Sequence, residues 1–164
     1  RHGKNRAAFG VHNDSECSVL TARLNVGCFK LLFKLSLNIN VDRRRDIIEK
    51  YNEGLKDCDV QVLNHYGNNH ASSGHLYLVR LLGKTVEQRN AVIEKMAERQ
   101  IACNVHYKPL PMMTAYKNLG FDITDYPNAY AQYVNEVTLP LNTRLTDEDV
   151  EYVISNFVDI INSI

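Results

Sequence analysis

The four cysteines, Cys17, Cys28, Cys58 and Cys103, include no C-x-x-C pair, so no paired-thiol motif is spelled out. A 164-residue domain does not need covalent staples to build a core, and reduced, structural thiols are the expectation. Net charge is also missing. The 19 Lys+Arg balance the 19 Asp+Glu, which leaves no overall field to draw the protein onto nucleic acid or an anionic membrane. No apolar run approaches the roughly 20 residues needed to cross a bilayer, and the first ten residues, RHGKNRAAFG, lack the basic-then-apolar layout of a signal peptide. A cytoplasmic protein that binds neither nucleic acid nor membrane is therefore expected. There is no Gly-rich phosphate loop and no G-x-S-x-G, and no Cys/His pairing argues for a nucleophile. Internal repeats and low-complexity segments are absent.

What is present is enough apolar residue content, 45%, to bury one core. Charge is unevenly placed. Residues 1–37 hold six basic and two acidic residues, and the remainder reverses that excess. Three helices follow from periodicity. In DRRRDIIEKYNEGL, Asp42 is placed to cap a helix running to Leu55, with Ile47, Ile48, Tyr51 and Leu55 on one stripe. Thr85 and Gln88 have capping-box spacing ahead of a helix to about Arg99, whose apolar side is Val86, Val92, Ile93 and Met96. Thr146 and Asp149 repeat that spacing ahead of a helix from Asp147 to about Asn162, lined by Val150, Val153, Ile154, Phe157 and Ile161.

Short β-type runs lie between them: VQVL at 60–63, LYLVRLL at 76–82, ACNV at 102–105 and EVTLP at 136–140. This order predicts an α+β fold, a small, mostly antiparallel sheet with helices packed on one face. Pro109, Pro111, Pro127 and Pro140 stand where elements should start or stop. The run FKLLFKLSLNI at 29–39 fits a strand or a helix equally well.

Three histidines, His65, His70 and His75, recur every five residues. That spacing does not suit metal ligands on a helix face or a Cys/His finger, and a polar loop leading into a strand accounts for it. His75 alone, at the edge of a buried strand, is placed to face a cleft. In NVHYKPLPMMTAY, 104–116, a strand ends at Val105. His106, Tyr107 and Lys108 then stand at its mouth ahead of two prolines that stiffen the loop. Those side chains either contact a ligand or cap the core.

The stretch from His75 to Phe121, continued by DYPNAYAQYVNEVTLPLNTRLTDEDVEYVI, resembles the C-terminal domain of the DegT/DnrJ/EryC1/StrS sugar aminotransferases. The matching positions are His75 and Tyr77; Arg89; His106, Tyr107 and Pro109; Tyr116 and Gly120; Pro127 and Ala129; Leu139 and Pro140; and Leu145, Thr146 and Asp149. The resemblance covers residues 41–164, taken as the small C-terminal domain, with residues 1–40 as a remnant of the large-domain or linker region.

It implies the small domain of a fold type I aminotransferase that is a homodimer in its full form. The family uses pyridoxal 5'-phosphate (PLP) to move an amino group, usually from glutamate, to the keto group of a nucleotide-linked sugar. It also implies that the Schiff-base lysine and its Asp partner belong to a large domain ahead of Arg1, so no catalytic residue and no PLP site are expected in these residues alone. His106 and Tyr107, with His75 nearby, are implied as the substrate wall. VGCFKLL is similar to a family segment whose Asn reaches the cofactor phosphate. Cys28 and Phe29 stand there instead, leaving Lys30 as the candidate phosphate contact. Two other functions stay open: a nucleotide-sugar-binding or regulatory module without catalysis, and an inactive remnant.

Overall fold

A computed structural model describes residues 40–164, which form one compact unit. Cys17, Cys28, Lys30 and the run 29–39 lie outside the described residues. The chain is helical from 40 to 54 (α1). It continues through β1 (Val60–Val62), a small hairpin of β2 (Tyr66–Gly67) and β3 (His70–Ala71), β4 (Tyr77–Leu81) and α2 (Val86–Glu98). After short helical pieces that include α3 (Thr114–Lys117) come α4 (Pro127–Val134), β5 (Glu136–Leu139) and α5 (Asp147–Asn162).

β1, β4 and β5 form an antiparallel sheet with β4 in the centre. Its register pairs Tyr77 with Leu139, Leu78 with Thr138, Val79 with Val137 and Arg80 with Glu136. Because side chains alternate across a strand and directly paired residues share a face, this register divides the sheet. Tyr77, Val79, Leu81, Val137 and Leu139 point into one buried cluster with Ile47, Ile48 and Tyr51 of α1, Val92 and Met96 of α2, and Val150, Val153, Phe157 and Ile160 of α5. The expected α+β arrangement is therefore the one observed. Leu78, Arg80, Glu136 and Thr138 occupy the opposite face.

The limits of α5 coincide with those read from periodicity, though Ile160 rather than Ile161 completes the buried stripe. Its capping box is formed. Thr146 Oγ1 accepts from the Asp149 N–H at 3.1 Å, and Asp149 Oδ2 accepts from the Thr146 N–H at 2.9 Å. Thr146→Ala is expected to lower stability by about 1 kcal/mol, read as a lower urea midpoint at unchanged slope; an unchanged midpoint would mean the cap does not hold this end.

On the surface, Lys50 and Arg43 of α1 both meet Asp147, at 2.7 and 2.8 Å, and hold its carboxyl below the ordinary carboxylate range. At the other end of α1, a Cβ on Gly54 would lie 2.6 Å from a methyl of Ile154. Only a residue without a side chain permits that approach to α5.

Two sequence expectations are corrected. Asp42 is not an N-cap, because the chain is already helical at residue 40, and Asp42 lies exposed on the helix. ACNV does not form a strand. It makes a single bridge, Asn104 to Thr138, because the next two backbone donors are taken by side chains. The Val105 N–H goes to Asn104 Oδ1 at 2.8 Å and the His106 N–H to Glu136 Oε2 at 2.9 Å. Among the described residues no helix is long and apolar enough to cross a membrane.

Candidate functional site

The face of the sheet turned away from the helices carries the site. β5 presents Glu136 and Thr138 there, at 2% and 5% exposure, and the Asn104 bridge brings the following loop across them. His106 is half-buried. Its Nδ1 lies 2.9 Å from Thr138 Oγ1, which in turn donates to Glu136 Oε1 at 2.5 Å. Glu136 is thus bonded to both the backbone and, through Thr138, the ring of the same residue. Burial pushes the Glu136 carboxyl above its ordinary value, and the bonds from Thr138 and the His106 N–H, with the nearby positive charge of Arg89, pull the other way.

Arg89 of α2 is itself 2% exposed. Its Nη1 donates to the carbonyls of Tyr133 and Glu136, each at 3.2 Å, and its guanidinium lies 4.9 Å from the Tyr133 ring centroid. This clamp fixes the point at which α4 gives way to β5.

Tyr107 follows through a cis peptide bond and stands edge-on to the His106 ring, with centroids 4.6 Å apart. It is 68% exposed, an aromatic side chain offered to solvent beside an anchored imidazole. Lys108 is also exposed. The loop then forms an apolar groove of about 340 Å³ lined by Pro109, Leu110, Pro111, Tyr116, Phe121, Tyr126 and Ala129.

His75 is not brought to this pair. It is exposed and lines a separate cleft with Leu63, Asn64, His65, Ser72, Leu76 and Leu78, at the end of β4 that pairs with Leu139 rather than with Glu136. The polar loop expected around it is in part the β2–β3 hairpin, and His65 is core. Its ring stacks on Tyr77 at 5.7 Å, nearly parallel, and burial lowers its pKa. Among the described residues no three His, Cys, Asp or Glu side chains converge as metal ligands. Of the described cysteines both are free, and burial pushes the Cys103 thiol up to about 12, well outside the nucleophilic range.

A Schiff base to PLP needs a lysine in a desolvated pocket. No lysine among the described residues is buried.

Sequence reasoning singled out His106 and Tyr107 but not Glu136, Thr138 or the burial of Arg89. A signal existed for the first two. In EVTLP, alternation puts Glu136 and Thr138 on one face and Val137 and Leu139 on the other, so a carboxylate and a hydroxyl share a surface within an otherwise apolar strand.

The model of the DegT/DnrJ/EryC1/StrS aminotransferase family matches residues 25–158. Spr1654 of Streptococcus pneumoniae, assigned as a sugar aminotransferase, superimposes in its apo form with a TM-score of 0.78 at 45% identity, over 81% of this chain and 33% of that one. It has also been solved in PMP and PLP forms. The spore coat polysaccharide biosynthesis protein SpsC of Bacillus subtilis is 26% identical over 73% of this chain and 31% of its own length. The UDP-4-amino-4,6-dideoxy-N-acetyl-beta-L-altrosamine transaminase of Helicobacter pylori is 27% identical over 68% and 29%. The chain spans about a third of the length of the relatives it matches.

Proposed function

From the premise that the chain belongs to the DegT/DnrJ/EryC1/StrS aminotransferase family, we propose that it is the small-domain portion of an enzyme that transfers an amino group, from glutamate, to a keto group of a nucleotide-linked sugar. In this reading residues 41–164 form the small domain, which closes on a larger PLP-bearing domain, and the whole enzyme works as a homodimer in the cytoplasm. The role of the described residues is to hold and orient the sugar nucleotide, not to perform the transfer. PLP would supply the electron sink for amino transfer from the larger domain.

The observation that carries the proposal is the His106–Tyr107 pair. An imidazole fixed by a buried hydroxyl and an exposed aromatic ring in edge contact with it form a pre-organised polar and stacking surface, with little ordering left to do on binding. The H. pylori relative's UDP-linked substrate motivates the ligand class. His75, in its own cleft, would contribute a separate contact at most.

UDP-N-acetylglucosamine titrated calorimetrically into the 164-residue protein tests this. His106→Ala is expected to weaken binding about tenfold, the loss of one strong hydrogen bond of about 1.4 kcal/mol, while His75→Ala leaves it within about twofold. Equal affinity in His106→Ala and wild type would remove the pair from the substrate wall. A nucleotide-sugar-binding module that does not catalyse is the second reading, and it makes the same binding prediction. Conversion of glutamate to 2-oxoglutarate by the protein with PLP and a nucleotide keto sugar would rule that reading out.

A further inference from the structure

We infer that Glu136, acting through the Thr138 hydroxyl, holds neutral His106 in its Nδ1–H form, so that the ring offers a bare Nε2 lone pair to its ligand. The inference comes from counting protons along the chain of bonds. The backbone N–H of His106 can only donate, so Glu136 Oε2 must accept. The Thr138 hydroxyl has one proton and gives it to Glu136 Oε1 at 2.5 Å, a length typical of a charge-assisted O–H···O⁻ bond. With Glu136 ionised and that proton committed, Thr138 Oγ1 accepts from His106 Nδ1, 2.9 Å away. The ring must therefore carry its hydrogen on Nδ1. A solvated imidazole prefers the opposite form, with hydrogen on Nε2. The carboxylate, which reaches the ring only through Thr138, thus reverses the intrinsic preference, and Glu136 and Thr138 are positioning residues.

The consequence rests on the proposed binding of a sugar nucleotide by His106. Phosphate oxygens only accept hydrogen bonds. A neutral Nδ1–H histidine turns a lone pair toward them and must first take up a proton at Nε2, whereas a sugar hydroxyl can donate to that lone pair directly. Binding of a diphosphate would therefore be coupled to proton uptake at His106. The groups that face the relay are Glu136 and Thr138 from β5, Tyr107 against the ring, Arg89 of α2 on the Glu136 carbonyl, and Arg80 of β4 opposite Glu136 in register. Of these, only Thr138 lies between Glu136 and the imidazole.

Glu136→Gln gives a sharp test because it is nearly isosteric. The amide must keep its oxygen toward the His106 N–H and so turns its NH2 toward Thr138. Thr138 then accepts from the amide and donates to Nδ1, which moves the ring hydrogen to Nε2. Ring 15N shifts of His106 in the 164-residue protein, recorded with the ring neutral and assigned by their loss in His106→Ala, read the form directly. The expected result is Nδ1–H in wild type and in Thr138→Ser, and Nε2–H in Glu136→Gln. Nε2–H in the wild type, or an unchanged form in Glu136→Gln, would overturn the inference.

UDP binding supplies the second arm. Wild-type affinity should fall as pH rises, by up to the about tenfold that His106 contributes, and Glu136→Gln should flatten that dependence because its neutral ring already presents an N–H. If the tautomers follow the prediction but UDP leaves the His106 shifts unmoved, the relay stands and the sugar-nucleotide reading fails. If UDP moves them but the tautomers do not follow, the reverse holds.

Discussion

Replacing Phe157 by alanine lowers the unfolding free energy by about 3–5 kcal/mol, the usual cost of deleting a buried aromatic ring. Phe157 is fully buried midway along α5, in the cluster that joins α5 to α1, α2 and the inner face of the sheet. Its removal loses the transfer free energy of the ring and leaves a cavity among elements that cannot all move to fill it. β4 and β5 are held by their ladder, and α1 by the contact of Gly54 with Ile154 and by the Lys50 and Arg43 bonds to Asp147. Against a typical stability of about 5–15 kcal/mol for a domain, that loss is a large fraction of the total. Urea denaturation followed by circular dichroism checks it. A loss below about 1 kcal/mol would mean that α5 does not pack on this core.

Arg89→Ala is expected to cost a comparable amount, about 2–6 kcal/mol, by a different route. The guanidinium is buried and supplies donors to two main-chain carbonyls, those of Tyr133 and Glu136, and its Nε meets Asn90 Oδ1 at 2.8 Å. Alanine leaves both carbonyls without that donor, at about 1–3 kcal/mol each if no water reaches them, and takes away the cation resting on Tyr133. The effect should spread to the site, because β5 begins at Glu136 and the His106 ring is held through Glu136 and Thr138. Weaker UDP-N-acetylglucosamine binding should therefore accompany the lost stability. Arg89→Lys keeps the charge but not the planar fork, and should recover only part of either. An Arg89→Ala protein as stable as wild type would show that the clamp is not what fixes the start of β5.

The elements legible in the sequence are those whose signal is local. α5 was bounded by its capping box and its 3.6-residue stripe, and α2 by Thr85 and Gln88, because both the cap and the stripe lie within one stretch of chain. β1, β4 and β5 were legible as β-branched runs within a residue or two. Where local pattern competed with partners elsewhere, it failed. ACNV has strand composition, yet its backbone donors are satisfied by Asn104 and Glu136 side chains. Asp42 has cap chemistry, yet the chain is helical before it. His65 does lie in the loop its pattern suggests, but stacking on Tyr77 buries it.

Taken alone, the sequence determined the α+β class, the major helices, the family resemblance and the place of His106 and Tyr107 ahead of a proline-stiffened loop. These follow from periodicity, capping and motif order, which need no knowledge of where distant segments meet. Only the tertiary structure decided that Glu136 and Thr138 sit beneath His106, that Arg89 is buried as a clamp, and that His75 opens on a different cleft. Each of these depends on the register of β5 against β4 and the loop after Asn104. That register is set by which faces bury most apolar surface together, across separations of tens of residues that no local pattern records.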